Sequence, residues 1–139
     1  MIALLPLVAQ ALVAPQAVTP PAANAASAEP PHDWSTLPSI TLPPASATMV
    51  RFVREEVEAG RCARNRVTDD GQVVIAVPMA MRPAGENRTP TVVPLAIGCP
   101  TVEQFSAGAA LRMMRNLPHR TMLSEDRWYR TVITYTWPG

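Results

Sequence analysis

Residues 128–137 alternate in a way that leaves few folds open. Tyr129, Thr131, Ile133, Tyr135 and Trp137 fall on one side of an extended chain. Trp128, Arg130, Val132, Thr134 and Thr136 fall on the other. Successive side chains of a strand point to opposite faces. One strongly apolar row beside a mixed, largely polar row is the pattern of an antiparallel sheet covered on one face. A single strand has no independent stability, so the rest of the chain must supply its neighbours.

Two strand-like runs do so. Asp69-Asp70-Gly71 signals a turn, and residues 72–81 then place Val73, Ile75, Val77, Met79 and Met81 on one face. Pro78 lies on the opposite face and cannot donate to a ladder, which predicts an edge or bulge there. Residues 82–90, with Pro83, Gly85 and Asn87, read as a hairpin loop. Residues 91–97 read as the return strand, with Val93, Leu95 and Ile97 on one face.

Helical spacing appears on either side of this hairpin. In residues 49–59, Val50, Val53 and Val57 form one apolar face, Arg51 and Glu55 form an i,i+4 pair, and Gly60 is a C′ stop. Residues 101–116 open with Thr101 as N-cap and Gln104 three residues on, as in a capping box. Their apolar face holds Val102, Phe105, Ala109, Ala110, Met113 and Met114, continues to Leu117, and is stopped by Pro118. Residues 119–127 are a polar connection. The expected class is α+β: a three-stranded antiparallel sheet packed by the helix of residues 101–116, with an additional N-terminal helix. Phe105, Ala109 and Met113 are expected to meet Val73, Ile75, Val93, Leu95, Ile133 and Tyr135.

The N-terminal third has a different character. The first 28 residues carry no charged side chain. An apolar run leads to Ala26-Ser27-Ala28, an A-x-A-like cleavage site, so residues 1–28 are expected to be a signal peptide. The alternatives are an uncleaved inner-membrane anchor and a disordered tail. A span needs about 20 apolar residues, and Pro6, Gln10, Pro15 and Gln16 interrupt this run. Residues 29–45 form a Pro/Ala-rich spacer, whose Trp34, Leu37, Ile40 and Leu42 are candidates to dock locally on the domain. Residues 46–139 form the domain. All 12 basic residues are Arg, a usage expected of a GC-rich bacterial genome.

Two cysteines behind an export signal predict one disulfide, Cys62–Cys99. Cys62 precedes the first strand of the hairpin and Cys99 follows the second, so antiparallel pairing brings both to one end of the sheet. His32, Cys62, Cys99 and His119 are too scattered for a metal site, and no cofactor is expected.

Reaction chemistry is not signalled. The chain has no P-loop, no G-x-G-x-x-G, no H-E-x-x-H and no nucleophile elbow. Glu55, Glu56 and Glu58 read as a solvated helix face rather than an acid–base pair. Arg112, Arg115, Arg120, Arg127 and Arg130 cluster in sequence, but a net charge of +1 and an export signal argue against nucleic acid. The expectation is a non-enzyme.

The order helix, strand, strand, helix, strand over residues 50–137 resembles the C-terminal domain of the TonB family. Gly71-Gln72-Val73-Val74 is similar to that family's entry into its first strand, and Leu117-Pro118 to its helix exit. Cys99-Pro100-Thr101-Val102-Glu103-Gln104-Phe105 and Trp128-Tyr129-Arg130 resemble small exported TonB-like proteins with a cysteine pair. The chain departs from the family at Asn116 and Leu117, where aromatic residues are usual, and it lacks the Glu-Pro/Lys-Pro spacer of energy-transducing members. The resemblance therefore implies the fold more than that role.

It further implies a periplasmic protein–protein interaction module that takes an extended peptide segment of an envelope protein, an outer-membrane transporter being the family's partner. The alternative is a free-standing periplasmic accessory protein with no transporter partner. The expected binding strand is the last one, through Trp128, Arg130, Val132, Thr134 and Thr136. It closes the domain, and an edge strand offers unpaired N–H and C=O groups to a partner.

Overall fold

The computed structural model of the chain describes residues 29–62, 67–83, 90–118, 123 and 127–139. The expected signal peptide, the tip of the hairpin loop and most of the polar connection of residues 119–127 lie outside the described residues. The described chain is an α+β domain with the element order α1 (Ala47–Glu58), β1 (Gln72–Arg82), β2 (Thr91–Pro94), α2 (Pro100–Arg115) and β3 (Tyr129–Pro138). A short 3-10 turn, Trp34–Thr36, precedes them.

The three strands form one antiparallel sheet in the order β2-β1-β3. The β1–β3 register pairs Val73 with Trp137, Ile75 with Tyr135 and Val77 with Ile133. Opposed residues share a face, so the apolar rows of both strands meet. Val73, Ile75, Val77, Met79, Met81, Ile133, Tyr135 and Trp137 are all buried, as their alternation predicts. α1 packs over β3 and α2 over β2, and both close the same face.

β1 is the central strand and its ladder to β3 runs unbroken through Pro78, so the residue sits at neither of the expected positions, a sheet edge or a bulge. It ends the ladder to β2 instead. The Pro78 carbonyl accepts from the Leu95 N–H at 2.9 Å, which places the donorless proline nitrogen on the β2 side. Regular β1–β2 pairing covers only Met79 to Arg82, and β2 stops at Pro94, short of the expected residue 97. The faces of β2 are also the reverse of expectation. Val92 pairs with Met81 and packs against the core. Val93 pairs with Ala80 on the outer face, and Leu95 is 48 % exposed. A shift of one residue in pairing register exchanges the two faces of a strand.

Both helices begin and end on identifiable contacts. Ser46 caps α1 by accepting from the Met49 N–H at 3.3 Å. At its end Gly60 adopts φ 74°, the Gly60 N–H donates to Val57 O and the Arg61 N–H to Glu56 O. This is a Schellman motif with Gly60 at C′. The i,i+4 ion pair on α1 is Arg54–Glu58, at 2.7 Å, rather than the expected Arg51–Glu55. Glu56 is not on a solvated face: it is buried and takes both Nε and Nη2 of Arg61, at 2.8 and 2.7 Å. Those hydrogen bonds hold its carboxyl below the usual range.

α2 starts earlier than expected, with Cys99 as N-cap and Pro100 in the first turn. Proline suits that position because its missing N–H has no helical partner there. The reciprocal carboxylate is Glu103, not Gln104. Its Oε1 accepts from the N–H groups of Ile97 and Cys99, at 2.8 and 3.0 Å. The face turned to the sheet bears Val102, Ser106, Ala109, Ala110 and Met114. Small side chains there let the helix approach the strands closely. Phe105 is half-buried and lies against Phe52 of α1, ring centroids 4.2 Å apart, filling the space between the helices.

The disulfide joins Cys62 to Cys99, with Cα atoms 4.8 Å apart. It ties the end of α1 to the start of α2.

Candidate functional site

The alternation of antiparallel pairing decides what β3 offers to its surroundings. In such a ladder, residues whose N–H and C=O face the partner strand alternate with residues whose groups face away. The Pro78 carbonyl points to β2, so Pro78 and its partner Val132 form a pair without β1–β3 hydrogen bonds. The N–H and C=O of Val132 therefore project away from the sheet, as do those of Arg130, Thr134 and Thr136. Arg130 demonstrates the geometry. Its N–H donates to Pro38 O at 2.9 Å and its carbonyl accepts from the Ile40 N–H at 2.8 Å.

Residues 38–40 thus lie along the outer edge of β3 as a parallel bridge centred on Ser39 and Arg130. The Arg130 Nε donates to Ser39 Oγ at 3.0 Å and fixes the contact. The segment then turns away, because Leu42 is buried in the core. Among the described residues, no strand pairs with the edge beyond Arg130.

Four of the five residues expected to bind a partner share this edge. Arg130, Val132, Thr134 and Thr136 are exposed, Val132 at 51 %. Trp128 does not join them. It is 6 % exposed, precedes β3, and lies under the Arg82 guanidinium at 5.4 Å from the ring centroid. A cation over an aromatic face is attracted by the ring's electrons, which ties Trp128 to β1. The opposite row of β3 is committed to the core. Ser106 and Tyr135 hydroxyls are 2.8 Å apart, and burial raises the Tyr135 phenol above its ordinary pKa while this bond opposes the rise.

Sequence reading missed the groove beside the edge. A cavity of about 590 Å³ runs over the outer sheet face, with Pro78, Leu95 and Val132 below and Trp34, Ile40 and Leu42 from the N-terminal segment alongside. The signal was present in Pro78, whose lack of a donor shortens β2 and leaves Leu95 uncovered. Asp33 holds the turn beneath Trp34 by accepting from the Ser35 N–H at 2.8 Å. The Ser35 side chain, and then its N–H, hold the Asp33 carboxyl below the usual range by hydrogen bonding, and the Arg130 charge acts in the same direction.

Among the described residues, no group of His, Cys, Asp and Glu is placed to hold a metal ion. No helix among them is long and apolar enough to cross a membrane. Compared with protein families, with characterised proteins and with solved structures, the chain matches none of them.

Proposed function

We propose that this chain is a non-catalytic protein–protein interaction module of the bacterial cell envelope, which captures an extended segment of a partner by adding it as a strand to β3. The observation that carries the reading is the outward-facing backbone of Val132, Thr134 and Thr136, beside an arginine whose own outward groups already hold a segment of the chain. Backbone hydrogen bonds give such a site its affinity, and alternate side chains give it selectivity. The sequence resemblance to TonB C-terminal domains supports a periplasmic location and a partner in outer-membrane transport. The element order and the antiparallel sheet are compatible with it.

The test uses Thr134→Pro, which removes one outward N–H. The wild-type protein is expected to retain a discrete set of envelope proteins in a pull-down. The variant, shown to be folded by circular dichroism, is expected to lose them. Unchanged capture by the folded variant would sink the edge reading. Recovery of a transporter supports the transport role, whereas a set without one favours the free-standing accessory reading. N-terminal sequencing of the mature protein from its host tests export: a start at Glu29 is expected.

A further inference from the structure

We infer that the groove beside β3 is a side-chain pocket, and that the segment captured on this edge carries a large apolar residue opposite Val132. The inference rests on the strand-addition reading above and adds to it the chemistry of the captured segment.

Register supplies the first argument. Val132 is paired with Pro78, and Pro78 O is bonded to the Leu95 N–H, so these three side chains form one row across the outer face of the sheet. An added strand extends that row by one position. The residue it places opposite Val132 has its side chain on the same outer face, because opposed residues in a sheet share a face. That side chain arrives at the mouth of the groove, whose floor is this row and whose wall is Trp34 and Ile40.

The lining supplies the second. Among the described residues three large hydrophobic side chains are exposed, Val67, Leu95 and Val132, and two of them line this groove. An apolar surface placed next to unpaired backbone donors and acceptors fits a peptide better than a charged or a freely soluble polar ligand. The volume of about 590 Å³ admits an aromatic or a branched aliphatic side chain.

The third argument is the occupant the edge already has. Residues 38–40 pair with Arg130 and place Ile40 at the same groove. The chain's own segment leaves the edge where Val132 begins, so an incoming strand starts at the pocket and runs along Thr134 and Thr136.

The experiment is selection of a random heptapeptide library displayed on phage against the full-length oxidised protein. Selected sequences are then made as synthetic peptides and titrated by fluorescence polarisation. Peptides that need the edge are identified by loss of binding to Thr134→Pro. These are expected to share one position holding Phe, Trp, Leu, Ile or Met. Alanine at that position, or Leu95→Asp in the protein, is expected to weaken binding roughly tenfold, the effect of withdrawing one apolar side chain from a pocket. Leu95 is half-exposed, so the variant should fold; Trp34→Ala reports on the same pocket if it does not. Edge-dependent peptides without a shared apolar position, or with affinity unchanged by Leu95→Asp and Trp34→Ala, overturn the pocket and leave strand addition standing. Failure to recover any peptide sensitive to Thr134→Pro overturns the edge reading and this inference with it.

Discussion

The hydroxyl of Ser106 meets the hydroxyl of Tyr135 at 2.8 Å in the interior, where neither residue has any exposure to solvent. The pair joins α2 to β3 across 29 residues of sequence. Each hydroxyl depends on the other, because a buried polar group without a partner carries the full cost of its desolvation. Ser106→Ala and Tyr135→Phe are each expected to lower stability by about 1–3 kcal/mol, and the double variant by less than their sum. Urea unfolding of the four proteins measures the coupling.

The same pair predicts a pH dependence. Burial raises the Tyr135 phenol above its ordinary value of 10.0. Above that value an unfolded tyrosine releases its proton while the folded one keeps it, so the folded state binds more protons and stability falls as pH rises. Stability attributable to this group is complete below pH 10 and declines through the range above it. Tyr135→Phe should show a shallower decline in chemical unfolding at pH 9 to 11.

Reduction of Cys62–Cys99 should release a loop spanning 37 residues of separation. In the chain-entropy account that costs roughly 4 kcal/mol. The Cys62→Ala/Cys99→Ala double variant is expected to match the reduced wild-type protein in guanidinium unfolding, and to be insensitive to reductant.

Glu103, a buried carboxylate in the first turn of α2, is expected to matter more than a charged helix residue usually does. Its carboxylate is the acceptor for two backbone donors, those of Ile97 and Cys99. Glu103→Ala leaves both without that partner and should cost about 2–4 kcal/mol. Glu103→Gln keeps an acceptor oxygen and should cost about 1 kcal/mol. Thermal melts of the oxidised proteins distinguish the two.

Proline should cost unequal amounts at two neighbouring positions of β3. Ile133 belongs to the row of β3 whose backbone faces β1, and Thr134 to the row that faces away. Ile133→Pro breaks the ladder and is expected to cost about 2–4 kcal/mol. Thr134→Pro is expected to cost about 1 kcal/mol, since proline is tolerated where an edge N–H faces out. Denaturant midpoints of the two variants decide it; equal losses would show that the outward row is already paired.

Gly60 gives a prediction free of packing effects. A β-carbon added there would meet nothing within 4 Å, yet φ is 74°. Gly60→Ala is therefore expected to cost about 1–2 kcal/mol from backbone conformation alone, and Gly60→Asn less. Equilibrium unfolding measures both.

Local periodicity makes much of the fold legible in the sequence. The apolar rows of residues 73–81 and 129–137 are set by the two-residue repeat of an extended chain, and Val53, Val57, Val102, Ala109 and Ala110 by the helical repeat. Gly60 as a stop, the antiparallel sheet and the cysteine pair were equally readable, since each follows from covalent geometry or composition near the residues concerned. What the sequence could not show was how those rows register against one another. Pro78 lies in the central strand, and the face of β2 depends on its pairing with Met79 to Arg82, so Val92 turns inward and Leu95 outward. Phe105 gave up the deep position to Ser106 because the rotation of α2 follows from its start at Pro100 and its tether at Cys99. Glu56 is buried because Arg61 reaches back to it. At the candidate site the exposed row of β3 could be read from alternation, but the burial of Trp128 and the docking of residues 38–40 beside Arg130 could not. Those features depend on contacts between distant parts of the chain. A repeat along the chain fixes which side chains share a face, and only the assembled structure determines what lies opposite that face.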